Sequence, residues 1–362
     1  MMNRKEFQQY LADNVRDYLP NSYADAEVTF NEVIKNNDTH LTGISIKRAD
    51  DVVVPNIYIE NFWQEYQAGK DIDHIVGDIA DMRIEYETPI VGKDIAARIA
   101  DYEAVKDNLQ IRLCDTKENQ DRLAGLVHTE HSDFSAIYYV NLQENAEGTA
   151  STPVTQQLMG IWGISVEQLH ADALAADSQR GPILCEMGEM LESMFFGSEP
   201  ANLLEHVEDA NPAMGMFCLT NSDKAFGAGM ILQEDIMARI GEAAGGNFYI
   251  LPSSTHEVLI VPESTGMEVK ELSAMVYEIN RTEVEPQDRL SDQVQHYDAG
   301  TRVMENAEKR ESRLEMEKAE KTAARSRRSI HDRLGEKKQQ SAAQKAEKAA
   351  DKGAKKDKGQ EL

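Results

Sequence analysis

Hydrophobic side chains recur every three to four positions at the start of the chain. Phe7, Tyr10, Leu11, Val15 and Tyr18 define an amphipathic helix over 3–19, which Pro20 closes. The period then shortens to two. Val28 and Phe30 share one face, Ile44 and Ile46 share another, and Asn36-Asn37-Asp38 between them has turn chemistry, so the segment predicts a hairpin. Val52-Val53-Val54 runs into Pro55 and reads as an edge strand or an extended connector. Helical spacing returns over 58–70, anchored by Phe62, Trp63 and Tyr66, and over 71–87, with Ile72, Ile75, Ile79 and Met82. A further helix near 93–106 precedes a short strand at 109–113.

The second half of the pattern alternates strands and helices without a regular order. Ala136-Ile137-Tyr138-Tyr139-Val140 predicts a core strand. Ser165 with Gln168 three residues later predicts a capping box that opens a helix. A methionine-rich helix is expected over 183–195, ending at Phe195-Phe196-Gly197. Beyond Pro212 the apolar runs 216–219 and 229–232 read as two strands of a hairpin, followed by a helix over 233–244. Two more strands, 248–251 and 258–261, flank a turn at 252–255, and Val269, Leu272, Met275, Val276 and Ile279 give the cleanest helical stripe. Hairpins among helices predict an α+β fold of mixed or antiparallel strands, followed by a charged tail that passes from helical to disordered. The expected divisions are 1–120 and 121–300, as two regions or one continuous domain, and the tail 301–362.

Charge sharpens that last division. The 362 residues carry 38 Lys/Arg and 64 Asp/Glu, a net of −26. Residues 301–362 hold 18 basic and 12 acidic side chains, about +6, which leaves the body at about −32. The tail lacks Phe, Trp and Tyr, so it cannot build a core and reads as a solvated or coiled-coil-like helix. An acidic body repels phosphate backbones and anionic lipid over most of its surface. Three scattered cysteines, Cys114, Cys185 and Cys218, read as reduced thiols. No leader-like apolar stretch follows Met1, and no window approaches 18 apolar residues. The expectation is a cytoplasmic protein with no membrane contact and no cofactor.

Several stretches carry a resemblance. They are 55–60 (Pro-Asn-Ile-Tyr-Ile-Glu), 217–221 (Phe-Cys-Leu-Thr-Asn), Phe226-Gly227-Ala228, Tyr249 through Val258, 275–280 and Leu290-Ser291-Asp292. Together, and in this order, they resemble an uncharacterised family of proteins encoded by gut Firmicutes, often on integrative conjugative elements. Thr255 stands where that pattern has an aliphatic residue. The resemblance implies a bacterial cytoplasmic protein, cargo or accessory factor of a mobile element. It implies no catalytic residue, because the family carries no established activity.

Candidate chemistry is sparse. Ser254, His256 and Glu257, between two apolar runs, offer a hydroxyl, an imidazole and a carboxylate suited to a general base or metal ligand. The competing reading is a turn whose hydroxyls satisfy the backbone, with His256 and Glu257 opening the next strand on opposite faces. His128 and His131 invite a zinc reading, but their spacing misses the four-residue repeat of helical zinc motifs, and a polar loop is the expected structure. Gly227-Ala228-Gly229 lacks the third glycine of a dinucleotide loop. On the tail, Arg327, Arg328, Arg333, Lys337 and Lys338 cluster around Ile330 and Leu334, which are four residues apart. That face suits docking to a protein partner or self-association, with nucleic-acid contact through the tail a weaker possibility because no aromatic is present to stack on a base. The leading expectation is therefore a non-enzymatic interaction or accessory protein. The alternatives are an enzyme with a site near Ser254, His256 and Glu257, and an acidic mimic of nucleic acid that occupies a basic protein.

Overall fold

Val28 and Phe30 pair with Ile46 and Ile44 in an antiparallel hairpin of β1 (Glu27–Lys35) and β2 (Thr39–Lys47), and β3 (Ile57–Tyr58) adds to the other edge of β2. The protein is described by a computed structural model covering residues 1–51, 54–86, 95–145 and 148–356. Helices α1 (Arg4–Asn14), α2 (Glu60–Gln67) and α3 (Ile72–Glu85) share one core with this sheet, where Phe7, Leu11, Ile44, Ile46, Ile75 and Ile79 are fully buried. The Asn3 side chain accepts from the Glu6 N–H and the Glu6 carboxylate from the Asn3 N–H, which fixes the start of α1. The expected helix from 58 starts two residues later, because Ile57 and Tyr58 pair with β2. Val52 and Val53 of the expected edge strand, residue 87 and residues 93 and 94 lie outside the described residues. The remainder of the 93–106 helix splits into α4 (Ile95–Ala100) and α5 (Tyr102–Val105), with Asp101 extended between them.

This first core holds a cation. Arg83 is 2% exposed; its Nε donates to the Ile46 carbonyl at 2.9 Å and its Nη2 to Asp51 Oδ2 at 2.9 Å. Arg48 also donates to Asp51, and both guanidiniums lie about 5 Å from the Tyr23 ring centroid (4.8 and 4.9 Å). Burial raises the Asp51 pKa, but the two arginines outweigh it and hold the carboxyl below its usual range.

The second sheet has the order β4-β6-β5, with β7 on the far part of β6: β4 (Leu109–Asp115), β5 (His128–His131), β6 (Phe134–Asn145) and β7 (Gly148–Pro153). The expected polar loop at 128–131 is thus a strand. A two-residue turn with Ser132 at φ +57° brings His131 opposite Phe134, so backbone pairing with an apolar neighbour overrides the polar composition. Helices α6 (Gln120–Leu123), α7 (Gln156–Trp162) and α8 (Val166–Ser178) belong to this region. Ser165 caps α8 by accepting from the Gln168 N–H, but the Gln168 side chain bonds Asp172 instead, so half of the expected capping box forms.

The third sheet is antiparallel throughout, in the order β13-β12-β10-β11-β9-β8. It comprises β8 (Pro182–Glu186), β9 (Phe217–Asn221), β10 (Phe248–Leu251), β11 (Val258–Pro262), β12 (Gln295–Asp298) and β13 (Val303–Asn306), with α9 (Met187–Phe196), α10 (Glu234–Ala243) and α11 (Val269–Thr282) interspersed. Two expectations change here. The helix over 183–195 begins only at Met187, because Ile183, Leu184 and Cys185 pair with Thr220, Leu219 and Cys218. The expected strand 229–232 is instead part of a 3₁₀ segment, Gly227–Leu232; β9 already has β8 on one side and β11 on the other, so no edge remains for it.

Both faces of this sheet are covered. Phe248, Ile250, Val258, Ile260, Phe217 and Leu219 join β4, β6, α8 and α10 in one core. The alternate residues Tyr249, Leu251, Leu259 and Val261 pack with Leu272 and Val276 of α11 on the other side. Residues Met1–Ala307 form one compact unit and Glu308–Leu362 a second, within which α12 (Ala307–Lys356) runs. Among the described residues no helix is long and apolar enough to cross a membrane.

Replacing Asp51 by Ala strands the Arg83 charge in the core, and we expect a loss of about 3–5 kcal/mol in urea unfolding. A loss under ~1 kcal/mol would show that Arg48 and Tyr23 suffice to hold the cation.

Candidate functional site

The turn between β10 and β11 is built by a distant strand-like segment. Thr255 N–H donates to Asp288 O (2.8 Å), Leu290 N–H to Ser253 O (3.2 Å) and Ser291 N–H to Pro252 O (2.9 Å). Ser254 Oγ accepts from the His256 N–H at 3.0 Å. His256 Nδ1 accepts from the Phe226 N–H at 3.2 Å, and its Nε2 lies 3.4 Å from Asp288 Oδ1. Both ring nitrogens of His256 therefore have structural partners, and the Ser254 hydroxyl is committed to the backbone. Glu257 is half-buried ahead of β11 and makes no hydrogen bond or ion pair among the described residues. Of the three sequence candidates, the structure links Ser254 to His256 and leaves Glu257 apart.

What His256 positions is Phe226. This phenylalanine sits at φ +55°, a left-handed conformation that costs a bulky side chain about 1–2 kcal/mol. Its N–H is held by the imidazole, and its ring packs 5.1 Å from the His256 ring. The next residue locks the arrangement: Gly227 N–H donates to His256 O, and a Cβ at 227 would lie 2.6–2.8 Å from Thr220 Oγ1, His256 O and Asn221 N.

Phe226 in turn covers Arg112 of β4. The Arg112 guanidinium lies 3.7 Å from the Phe226 ring centroid and 4.0 Å from that of Tyr139. Its Nε donates to Gln110 Oε1 and its Nη2 to Ser151 Oγ. Arg122 of α6 stands on the same tyrosine, donating to the Tyr139 hydroxyl (3.0 Å) and to Asn36 Oδ1 (3.0 Å). Every acceptor in this set is neutral, and neither arginine forms an ion pair among the described residues. Burial pushes Arg112 down to about 10, and Arg122 pushes in the same direction against Tyr139 and Asp177. Both arginines line a cleft of about 500 Å³, together with the β1 end, Leu126, Pro153, Phe226 and Thr255. Composition hid this site, because two arginines ten residues apart, one on a strand and one on a helix of a strongly acidic chain, carry no local signal; only the tertiary fold sets them on one tyrosine.

A buried carboxyl lies behind β4. Asp177 of α8 accepts from the Ile111 N–H at 3.0 Å and lies 3.2 Å from Arg180 Nε. Burial dominates and pushes it up to about 7, against the pull of Ile111 and Arg180.

The remaining candidates are placed as follows. His128 and His131, three apart on β5, take opposite faces, so the structure does not bring them together. His131 stacks on His170 with ring centroids 5.1 Å apart and bonds Thr129 Oγ1, which contacts the Tyr138 hydroxyl; that hydroxyl contacts His170 Nδ1. Burial holds both imidazoles below their usual range, and no group of three metal-ligating side chains occurs among the described residues. Arg327, Arg328, Ile330, Arg333, Leu334, Lys337 and Lys338 all lie on α12, where Leu334, Lys337 and Lys338 are exposed.

Fold and site together define an α+β protein with an arginine-lined cleft and a long charged helix. The chain belongs to the family of unknown function DUF5688, whose model matches residues 4–299. Neither a curated protein nor a solved structure matches it.

Two outcomes test this geometry. Gly227→Ala forces its Cβ against backbone atoms and should destabilise the unit by about 1–3 kcal/mol in denaturant unfolding. For Asp177, the native state keeps its proton up to about pH 7 while the unfolded chain loses it near pH 4. The stabilisation from protonation is complete below that lower value and lost as pH rises through 7. The stability of the wild type should therefore fall relative to Asp177→Asn between pH 4 and 7, by at most about 1.4 kcal/mol per unit, and the difference should be flat above pH 8. A difference that is constant from pH 4 to 8 would contradict the raised carboxyl.

Proposed function

We propose that the protein is a non-enzymatic interaction protein of the bacterial cytoplasm, an accessory factor of a mobile element or its host, which engages a protein partner through α12. The observation that carries this reading is the helix itself. Its 50 residues extend about 75 Å at 1.5 Å per residue, far beyond what a capping or packing helix needs. Met316 and Leu334 are 62% and 55% exposed on it. The helix is supported along its own surface by pairs such as Arg313 with Glu317 (3.3 Å) and Lys321 with Glu317 (3.9 Å). A helix that is polar nearly all round gains little from a core, and a partner's groove supplies the burial its few apolar residues lack. Ile330 and Leu334 are one turn apart, and Arg327, Arg328, Arg333, Lys337 and Lys338 set the charge, so the complementary partner surface is an apolar groove with an acidic rim.

The geometry at the 252–257 turn supports a positioning role for Ser254 and His256 over the enzyme reading, because the Ser254 hydroxyl and both His256 ring nitrogens already have structural partners.

The test is capture of partners by the full chain from nuclease-treated lysate of the native host. Ile330→Ala with Leu334→Ala, and separately Lys337→Glu with Lys338→Glu, should each weaken capture of a specific protein at least tenfold, while His256→Ala leaves capture intact. Capture unaffected by either pair would overturn the reading, and a signal abolished by nuclease would assign α12 to nucleic acid instead.

A further inference from the structure

The cleft that Arg112 and Arg122 line is an unusual place for two cations. The chain has 26 more acidic than basic side chains, yet these two guanidiniums are held by amide, hydroxyl and phenol oxygens rather than carboxylates. Neutral acceptors orient a guanidinium without cancelling its charge, so both guanidiniums are left without a direct counter-ion. The cleft wall also carries Lys35 and the carboxylates of Asp121 and Asp288, for a net lining charge of about +1. Asp121 faces His40 Nε2 at 3.5 Å and Asp288 faces His256 Nε2 at 3.4 Å, and neither forms an ion pair with Arg112 or Arg122 among the described residues.

The shape of the Arg112 environment narrows the ligand. Tyr139 and Phe226 both stack against the guanidinium, at 4.0 and 3.7 Å, which leaves its edge as the favoured approach, and there Nη1 has no acceptor among the described residues. Edge-on approach of planar N–H donors suits an oxyanion. Holding Phe226 at positive φ by means of His256 and Gly227 is a conformational cost incurred where the ring meets Arg112, and strain of this kind gathers at binding sites. Thr255 adds an independent sign. It lines the cleft at 5% exposure, and its Oγ1 has no hydrogen-bond partner among the described residues, a buried hydroxyl left unsatisfied there.

We propose that this cleft binds a phosphomonoester, its phosphate seated on the edges of Arg112 and Arg122 and its organic part against Val33, Leu126, Pro153 and Phe226. A phosphate monoester carries nearly two negative charges at pH 7, matching two unpaired guanidiniums where a carboxylate matches one. The cleft volume of about 500 Å³ lies in the range of small-molecule sites, well beyond the space one phosphate fills. The apolar wall gives that remaining volume a use.

The experiment titrates the full-length protein with phenyl phosphate and with inorganic phosphate, by calorimetry and thermal melting, at constant ionic strength with chloride as control. Phenyl phosphate should bind at least tenfold more tightly than inorganic phosphate and raise Tm, while chloride does neither. Equal affinity for the two would overturn the phosphomonoester assignment in favour of a simple anion site, and no response to either would overturn the site. Arg112→Gln and Arg122→Gln should each weaken phenyl phosphate at least tenfold. Should these variants fold poorly, Ser151→Asp places a carboxylate where Arg112 Nη2 now meets a hydroxyl at 2.8 Å. That change supplies the missing counter-charge, so it should keep or raise Tm while abolishing the response to phenyl phosphate. Full affinity retained in Ser151→Asp would refute the proposal.

Discussion

The tip of the first hairpin ties together parts of the chain that are 80 to 250 residues apart, and the cleft exists because of it. Asn36 Nδ2 donates to the carbonyls of Gln287 and Arg289, and Asn37 Nδ2 to those of Pro286 and Arg289. Asp38 accepts from the N–H groups of Asp121 and Arg122 at the start of α6. These bonds serve backbone groups of the 286–291 segment and the first turn of α6 that have no partner in a regular element, and most of them are partly buried, so breaking them is costly. The same contacts set the α6 arginine beside Tyr139 and bring the 286–291 segment under the β10–β11 turn. The N-terminal sheet, the second sheet and the third sheet thereby meet at one cleft.

From that constraint the local conformations follow in sequence. The 286–291 segment pairs with residues 252–255 and shapes their turn; the turn presents the His256 imidazole; the imidazole holds the Phe226 N–H; and Phe226 closes over Arg112. Each step is an ordinary hydrogen bond or ring contact worth about 1 kcal/mol by itself. Their value is in combination, because a phenylalanine at positive φ persists only where the surroundings over-determine it. The arrangement gives His256 and Ser254 a role that needs no reactive chemistry.

The two units divide the physics of the protein between them. Within Met1–Ala307, stability rests on burial, with a six-stranded sheet covered on both faces and one fully buried arginine balanced by Asp51. Within α12, apolar side chains are few, and the helix rests on backbone propensity and ion pairs along its surface. A surface of that kind is responsive to salt and to a partner's charge in a way that the compact unit is not.

Much of the architecture was legible in the residues themselves. The first hairpin, the α+β class, the strands at 109–113, 216–219, 248–251 and 258–261, and the stripe of α11 all follow from periodicity, since a side chain's direction alternates by two in a strand and by 3.6 in a helix whatever surrounds it. The failures have one cause. At 128–131, 182–186, 229–232, 295–298 and 303–306, local composition pointed elsewhere or nowhere, and an available or occupied sheet edge decided the outcome. The site divides in the same way. The sequence marks Ser254, His256 and the 252–255 turn as unusual, because hydroxyls and an imidazole between two apolar runs form a local pattern. It says nothing of Arg112 beside Arg122, since charge compensation is a property of distances in space, and in a chain of 64 acidic residues only the tertiary structure decides which cations go unpaired.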